Sequence, residues 1–285
     1  QVREAGARLD AQRAEQPERS PEDLKDLVRR TLAETQAASA TWNRGEAVAR
    51  LANHLALQQP DDTTCTALAE TLIDQALAPG SEFGVVELTR PDPAEVPDWW
   101  RHADTGRSIF RSPNARIFAL RSHLSTEQTL VAESRRSGAR TVPAEQLRAI
   151  AAELTSGPRP LGEDQAAVVL GVLGSGRMAD VIVAPAGTGK SYAAGRLREQ
   201  WQKVHGGRVI GIATSQRAAQ VLAEDGIEES WNSTQFLMRF DPKTAGPGQD
   251  TQELTSRDLL IVDEAGMSTT AELARIQQLA ARAGA

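Results

Sequence analysis

The chain has 285 residues, of which 40% are hydrophobic and 25% charged, and its 38 Asp and Glu outnumber its 32 Lys and Arg for a net charge of −6. These values are typical of globular proteins and exclude collagen-like and wholly disordered classes. A disulfide-stabilised class is excluded because Cys65 is the only cysteine, and a single thiol favours the cytoplasm. We expect no membrane span, because no apolar run approaches the roughly 18 to 20 residues that one needs. The negative charge gives no overall attraction for nucleic acid.

The length corresponds to roughly two domains, and residue patterns divide the chain into three segments. Residues 1–80 are rich in Ala, Leu, Glu and Arg at helical spacing, which predicts a helical connecting region. Within it we expect a solvated helix over Gln1–Glu15 and a second helix capped by Ser20 with Pro21 at its first position. The sequence does not begin with Met, so we expect it to be part of a longer chain.

Residues 81–157 predict a small α+β domain. Three short apolar runs predict strands over Phe83–Leu88, Ser108–Phe110 and Ile117–Leu120, the last two joined across Ser112–Asn114. Two helices follow, one from Ser125 to about Arg136 and one from Pro143 to about Leu154. The Gly and two Pro between 155 and 160 predict the domain boundary.

Residues 158–285 alternate between strand and helix patterns. Short apolar strands are predicted at Val181–Val183, Val209–Ala213 and Leu259–Val262. Helices are predicted at Ser191–Trp201, Gln216–Ala223 and Ala271–Ala281. This alternation is typical of a parallel sheet with helices on both faces, an α/β fold. The segment Asp241–Gln252 is predicted to be a mobile loop.

The strongest motif follows the first of these predicted strands and precedes a helix, as a phosphate-binding P-loop does. Its backbone N–H groups and the helix N-terminus favour phosphate oxygens, Lys190 reaches the β- and γ-phosphates, and the Ser191 hydroxyl suits Mg²⁺. We therefore predict ATP binding with Mg²⁺ by Pro185, Ala186, Gly187, Thr188, Gly189, Lys190 and Ser191. Ala184 stands where the strict pattern has Gly. The alternative is a Gly-rich turn that only connects strand to helix.

Two carboxylates, Asp263 and Glu264, end the predicted strand Leu259–Val262. An Asp at this place binds Mg²⁺, and a neighbouring Glu orients or deprotonates the attacking water. Together with Lys190 they predict hydrolysis and make Lys190 and Glu264 the catalytic candidates. The alternative is that the pair caps the next helix.

Gln165 precedes the apolar helix of residues 166–173. A Gln amide has one acceptor and two donors and can read an adenine edge with two hydrogen bonds. Gln165 is therefore a candidate adenine contact. An ordinary exposed helix Gln is the alternative.

These motifs, with Ile212–Ala219, Ser233–Leu237 and Asp263–Met267, resemble the first RecA-like lobe of a RecD-like superfamily 1 DNA helicase. The series is more similar still to the helicase portion of MobF-type conjugative relaxases of the TraA and TraI kind. The resemblance covers about residues 80–285 and departs from the RecD pattern at residues 215–216, which lack its Gly, and at Gln235, which replaces its His.

The resemblance implies ATP-driven 5′ to 3′ translocation on single-stranded DNA during conjugative plasmid transfer. It implies DNA contacts, along one edge of the lobe, by Thr214, Gln216, Arg217 and Thr234. Its implied partners are single-stranded DNA, conjugative transfer proteins, and a parent polypeptide with a relaxase domain and a second RecA-like lobe. The relaxase chemistry itself is not expected in this chain, since Tyr192 is its sole tyrosine and its four His are scattered.

Alternatives to the motor lobe stay open at this stage. The first is a truncated, non-catalytic module that binds ATP, DNA or protein without helicase activity. A small-molecule kinase is the second, although the Asp-Glu-Ala-Gly-Met segment favours a hydrolase. Trp231, Phe236 and Arg239 are available for stacking on DNA bases, but an aromatic residue there is more often part of the core.

Overall fold

The computed structural model describes residues 20–56, 62–89, 96–103, 106, 108–110, 115–156, 159–185, 187–246, 248 and 250–285. Two compact units divide at residue 125, Gln1–Ser125 and Thr126–Ala285. The predicted helix over Gln1–Glu15 and the predicted turn at Ser112–Asn114 lie outside the described residues. None of the helices in the described ranges is long and apolar enough to cross a membrane.

The first unit contains three helices, α1 (Pro21–Ala38), α2 (Arg44–Ala56) and α3 (Asp62–Leu77). The predicted start of α1 is confirmed: the Ser20 hydroxyl accepts a hydrogen bond from Asp23 N at 3.2 Å, and the Asp23 carboxylate accepts one from Ser20 N at 3.0 Å. This reciprocal cap satisfies two helix-terminal donors. Apolar residues at helical spacing on the three helices, among them Leu32, Leu51 and Ile73, form one buried core.

A small antiparallel sheet completes that unit, with the strand order β1 (Trp42–Asn43), β3 (Ile117–Leu120), β2 (Val85–Glu87). The predicted strands at 83–88 and 117–120 are confirmed. The predicted strand Ser108–Phe110 is wrong, because Ser108 makes only an isolated bridge to Arg101 and the next two residues turn. Three residues with a partner for only one of them cannot make a ladder.

Gln36 joins helix and sheet in this unit. Its Oε1 accepts from the Trp42 indole at 3.2 Å and from Leu120 N at 2.7 Å, while its Nε2 donates to Ser39 O at 3.0 Å and Ala40 O at 2.7 Å. Buried polar groups are stable when their partners are all present, so this amide fixes α1 against the sheet.

The division between the units falls within α4 (Arg121–Ser134), which begins before the predicted Ser125 cap. The next helices are α5 (Ala144–Ser156) and α6 (Glu163–Ser175). Ile150 and Leu154 of α5 are buried in the same core as Leu173 of α6. The residues from 126 to 156 therefore belong with the P-loop segment, which differs from the boundary expected at 157.

The second unit is built on a parallel sheet with the order β5 (Glu229–Asn232), β4 (Val209–Ala213), β6 (Leu259–Val262). Alternate residues of β4 enter different cores, since successive side chains point to opposite faces. Val209 and Ala213 pack with α6, with α7 (Lys190–His205) and with α8 (Gln216–Glu224), whereas Ile210 and Ile212 pack with α9 (Ser233–Phe240) and α10 (Thr270–Ala283). Helices on both faces confirm the predicted α/β fold.

One predicted strand of this sheet is wrong. Residues 181–183 form no strand, and Val181 and Val183 are 83% and 93% exposed. Their β-branched composition predicts a strand, but that preference is expressed only when a neighbouring strand supplies hydrogen bonds and packing. β6 ends the described sheet, so its outer edge is unpaired within the described residues.

The sequence reasoning also missed β5. Its residues Glu229, Ser230, Trp231 and Asn232 lack the apolar run that identified the other strands. β5 forms the edge of the sheet beside β4, and all four of its residues are only partly buried.

Candidate nucleotide site

The P-loop lies between residues 181–183 and α7. Gly187 and Gly189 have φ angles of 77° and 78°, a left-handed conformation that glycine adopts without steric cost. Gly189 is the N-cap of α7, a helix of 16 residues. The N–H groups and positive dipole end of α7 therefore begin at the loop, which favours an anion there. Ala186, the remaining predicted loop residue, lies outside the described residues.

Lys190 is folded over this loop. Its Nζ donates hydrogen bonds to Ala184 O at 3.0 Å and to Pro185 O at 3.1 Å, and the Thr188 hydroxyl also donates to Pro185 O at 2.8 Å. Lys190 and Ser191 occupy the first turn of α7 and are exposed. When a nucleotide binds, its phosphate oxygens can therefore replace these loop carbonyls as the acceptors of the Lys190 ammonium.

The structure places Gln165 beside the P-loop. Its Nε2 donates to Thr188 O at 2.9 Å, and its Oε1 accepts from Gly162 N at 3.1 Å at the start of α6. A Cβ on Gly189 would lie 2.5 Å from Gln165 Nε2, so the contact itself requires glycine at 189. Gln165 is thus a half-buried residue of the capping box of α6 that also contacts the P-loop, while its contact with adenine stays a prediction.

The two carboxylates follow β6 at the carboxyl edge of the sheet. Asp263 is half-buried and extends the ladder, since its N donates to Ile212 O at 2.8 Å. Glu264 is exposed and has φ 48° and ψ 44°; it is the one non-glycine residue with positive φ in the described part of the chain. Strained backbone of this kind costs of order 1–3 kcal/mol and concentrates at functional sites.

Glu264 is the N-cap of the short 3-10 helix Ala265–Met267, where its side chain makes no cap hydrogen bond, and the next α-helix, α10, is capped by other residues. Thr269 is the N-cap of α10: its hydroxyl accepts from Glu272 N at 3.2 Å, and Glu272 accepts in return from Thr269 N at 3.0 Å. Burial raises the pKa of Glu272, but hydrogen bonds from Thr269 N and from the Ser233 hydroxyl outweigh it and hold the pKa below its usual value. Asp263 and Glu264 are left at the sheet edge.

The residues that resemble DNA contacts lie at that same edge. Thr214, Gln216 and Arg217 follow β4, Thr234 follows β5, and all four are exposed. Carboxyl ends of parallel strands share one edge of a sheet, the usual place for ligands in such folds. The Asn232 amide donates to Gln216 Oε1 at 3.0 Å and links the ends of the two strands.

The aromatic residues near this edge do not offer free faces. Phe236 is fully buried in the core between the sheet and α10. Trp231 is half-buried, and the Arg239 guanidinium lies 3.9 Å from the centroid of its ring. Core packing, the more frequent role of an aromatic side chain, is the observed one.

Two charged pairs that the sequence reasoning missed hold the edge elements in place. The Asp241 carboxylate, buried after α9, accepts a bidentate bond from Arg275 of α10. Buried Asp258, just before β6, accepts from Arg208 N at 3.0 Å and from the Arg208 guanidinium at 2.8 Å. The partners in these pairs are 34 and 50 residues apart in the sequence, so no local sequence pattern predicts that they meet.

The donor set suits the predicted metal. The hydroxyl of Ser191 and the carboxylate of Asp263 are oxygen ligands, which Mg²⁺ prefers, and it commonly takes one or two protein carboxylates together with phosphate oxygens.

Comparison with known proteins agrees with this geometry. Residues 160–285 match the family model of the AAA domain. Over 125 residues the chain is 30% identical to the conjugal transfer protein TraA of Agrobacterium fabrum, 29% to a probable TraA of Sinorhizobium fredii and 31% to TraA of Rhizobium radiobacter. The aligned part is 44% of this chain and spans about a tenth (10%) of each relative. Residues 160–285 thus carry a P-loop domain of the AAA type, similar to part of the TraA proteins.

Proposed function

We propose that this P-loop domain binds and hydrolyses ATP with Mg²⁺ as the first motor lobe of a cytoplasmic DNA helicase in conjugative transfer. One observation carries the proposal: a glycine-dependent loop with Lys190 opens α7, and the carboxylates of Asp263 and Glu264 follow a parallel strand of the same unit. The similarity to part of the much longer TraA proteins supports the assignment to conjugal transfer and to a longer polypeptide.

Each side chain has a distinct task in this proposal. The loop N–H groups and the N-terminus of α7 bind phosphate oxygens, and Lys190 exchanges the carbonyls of Ala184 and Pro185 for the β- and γ-phosphates. Ser191 and Asp263 hold Mg²⁺, which neutralises phosphate charge when bound. Glu264 orients the attacking water and accepts its proton. Gln165 exchanges Thr188 O for the adenine edge.

We further propose that single-stranded DNA crosses the carboxyl edge at Thr214, Gln216, Arg217 and Thr234. The parent polypeptide would supply the second lobe, whose arginines contribute on the order of 10³- to 10⁵-fold in rate to related phosphoryl transfers. Slow hydrolysis by this chain alone is therefore expected.

One variant can distinguish the role of the site in ATP hydrolysis from its role in ATP binding. Glu264→Gln removes the proton acceptor and should reduce the ATP turnover rate at least tenfold while the affinity for ATP changes little. Glu272→Gln, at the start of α10 on the same edge, is the matched control and should keep turnover. Equal turnover by the Glu264→Gln protein and the unmodified chain would contradict the role of Glu264.

A further inference from the structure

Tyr192, the sole tyrosine of the chain, links α7 to the short segment that precedes α6. Its hydroxyl donates a hydrogen bond to Arg159 O at 2.7 Å. Tyr192 follows Gly189, the N-cap of α7, by three residues and so lies about one turn further along the helix. The first turn of α7 therefore contacts a part of the chain that lies outside the P-loop.

The segment that Tyr192 contacts also orients Gln165. Gly162 N donates to Gln165 Oε1 at 3.1 Å, and Gln165 Nε2 donates to Thr188 O of the P-loop at 2.9 Å. Leu161 is buried, and its N donates to Leu154 O at 2.8 Å, which holds the segment against α5. The amide is thus fixed at both ends, and its position depends on where Gly162 lies.

These contacts form a closed circuit between the starts of α6 and α7. Gly189 and Gln165 touch, since a Cβ at residue 189 would lie 2.5 Å from Gln165 Nε2. The circuit continues through Gly162 and Arg159 to Tyr192, and α7 returns it to Gly189. Because the circuit is closed, the Tyr192 hydrogen bond limits how far the segment can move from α7. It thereby limits movement of the Gln165 amide away from the P-loop.

We propose that Tyr192 is a positioning residue for adenine recognition. It holds the Gln165 amide beside the P-loop and so sets how strongly the site prefers ATP to a triphosphate that lacks a base. An amide that is already oriented loses less conformational entropy when it binds. Tyr192 itself contacts neither phosphate nor Mg²⁺ in this arrangement. The inference rests on the proposed function, because it requires that Gln165 contacts adenine.

The test is the ratio of the affinities for ATP and for inorganic tripolyphosphate, each measured with Mg²⁺ by isothermal titration calorimetry on the full chain. Tripolyphosphate offers the P-loop three linked phosphates without a base. One hydrogen bond between neutral groups changes an equilibrium constant roughly 2- to 12-fold, so Tyr192→Phe should weaken ATP binding by about that factor. Tripolyphosphate should bind as it does to the unmodified chain, because the substitution removes only a hydroxyl.

Two further variants distinguish positioning from a purely structural role. Gln165→Ala should lower the same ratio, and adding Tyr192→Phe to it should lower the ratio no further, because the group that Tyr192 positions is gone. Trp201→Phe is the matched control. The indole of Trp201, a buried residue of the same helix, donates to Arg257 O at 2.7 Å, so this change also removes a hydrogen bond to a backbone carbonyl. It should lower the Tm and leave the ratio unchanged.

Three results would overturn the role of Tyr192. The first is an unchanged ratio in the Tyr192→Phe protein. The second is the same further loss when Tyr192→Phe is added to Gln165→Ala, which would mean that the two side chains act independently. The third is an equal loss of affinity for ATP and for tripolyphosphate, which would show that the hydroxyl serves the phosphates or the fold.

A measurement without nucleotide separates this inference from the proposed function. In the free chain, the amide hydrogen of Gly162 should exchange faster in the Tyr192→Phe protein than in the unmodified chain, as measured by NMR. Equal exchange would mean that Tyr192 does not hold the segment and would overturn the inference. Failure of the unmodified chain to bind either ATP or tripolyphosphate would instead contradict the proposed function.

Discussion

Replacing Glu264 by glycine should stabilise the second unit while abolishing hydrolysis. Glu264 has φ 48° and ψ 44°, a left-handed conformation that costs an L-residue roughly 1–2 kcal/mol. Glycine has no such cost but loses about 0.5–1 kcal/mol more backbone freedom on folding. The expected net gain is therefore about 0–1.5 kcal/mol with a midpoint near 0.75 kcal/mol, and that midpoint raises the Tm of a unit of this size by roughly 1.5–3 °C.

The control is Glu264→Ala, which removes the same carboxylate but keeps a Cβ and hence the strain. Differential scanning calorimetry of both variants compares them directly, and the exposed Glu264 side chain leaves little packing to lose. A glycine variant no more stable than the alanine variant would refute the reasoning. A higher Tm together with lost turnover would show that the site retains strain for function.

Three further changes test the packing that positions the site. Asp241→Asn should lower the free energy of unfolding by about 3 kcal/mol at pH 7, because it breaks a buried pair with Arg275. The hydrogen bond from Arg275 lowers the pKa of Asp241 in the folded protein. The carboxylate is therefore protonated, and its contribution lost, only at low pH, so the difference in Tm between the variant and the unmodified chain should shrink as pH falls below about 4. Gln36→Leu should lower the free energy of unfolding, measured with urea, by about 2–4 kcal/mol, since the Trp42 indole and Leu120 N lose their acceptor. A loss no larger than that of a Gln→Leu change at an exposed position would contradict the role of this amide. Leu173→Ala should lower stability by about 2–5 kcal/mol, whereas Val221→Ala, at an exposed position, should change it by less than about 0.5 kcal/mol.

The elements that the sequence identified correctly have local causes. The cap at Ser20 depends on residues within one turn of the helix. The strands β4 and β6 are marked by apolar runs, and the alternation of these runs with helices predicted a parallel sheet. The P-loop was found in the same way, because its glycines, Lys190 and Ser191 are contiguous.

The errors concern contacts that a linear pattern does not encode. Val181–Val183 has the composition of a strand, yet forming one depends on a distant edge, while β5 is polar and forms because β4 offers its edge. The contact of Gln165 with Thr188 spans 23 residues and was not predicted, because the hypothesis about Gln165 concerned only its chemistry toward adenine. The exposure of Trp99 and Phe110 could not be read from a sequence in which aromatic residues are more often buried.

The most direct measurement of the central claim is the equilibrium affinity for a fluorescent ATP analogue with Mg²⁺, for the unmodified chain and for Lys190→Ala. Hydrogen bonds to charged groups contribute about 1.5–3 kcal/mol, so the account predicts roughly 10- to 100-fold weaker binding by the variant. Lys203→Ala, in the last turn of the same helix and paired with Glu153, should bind as the unmodified chain does. Equal affinity of the Lys190→Ala protein and the unmodified chain would contradict a P-loop ATPase.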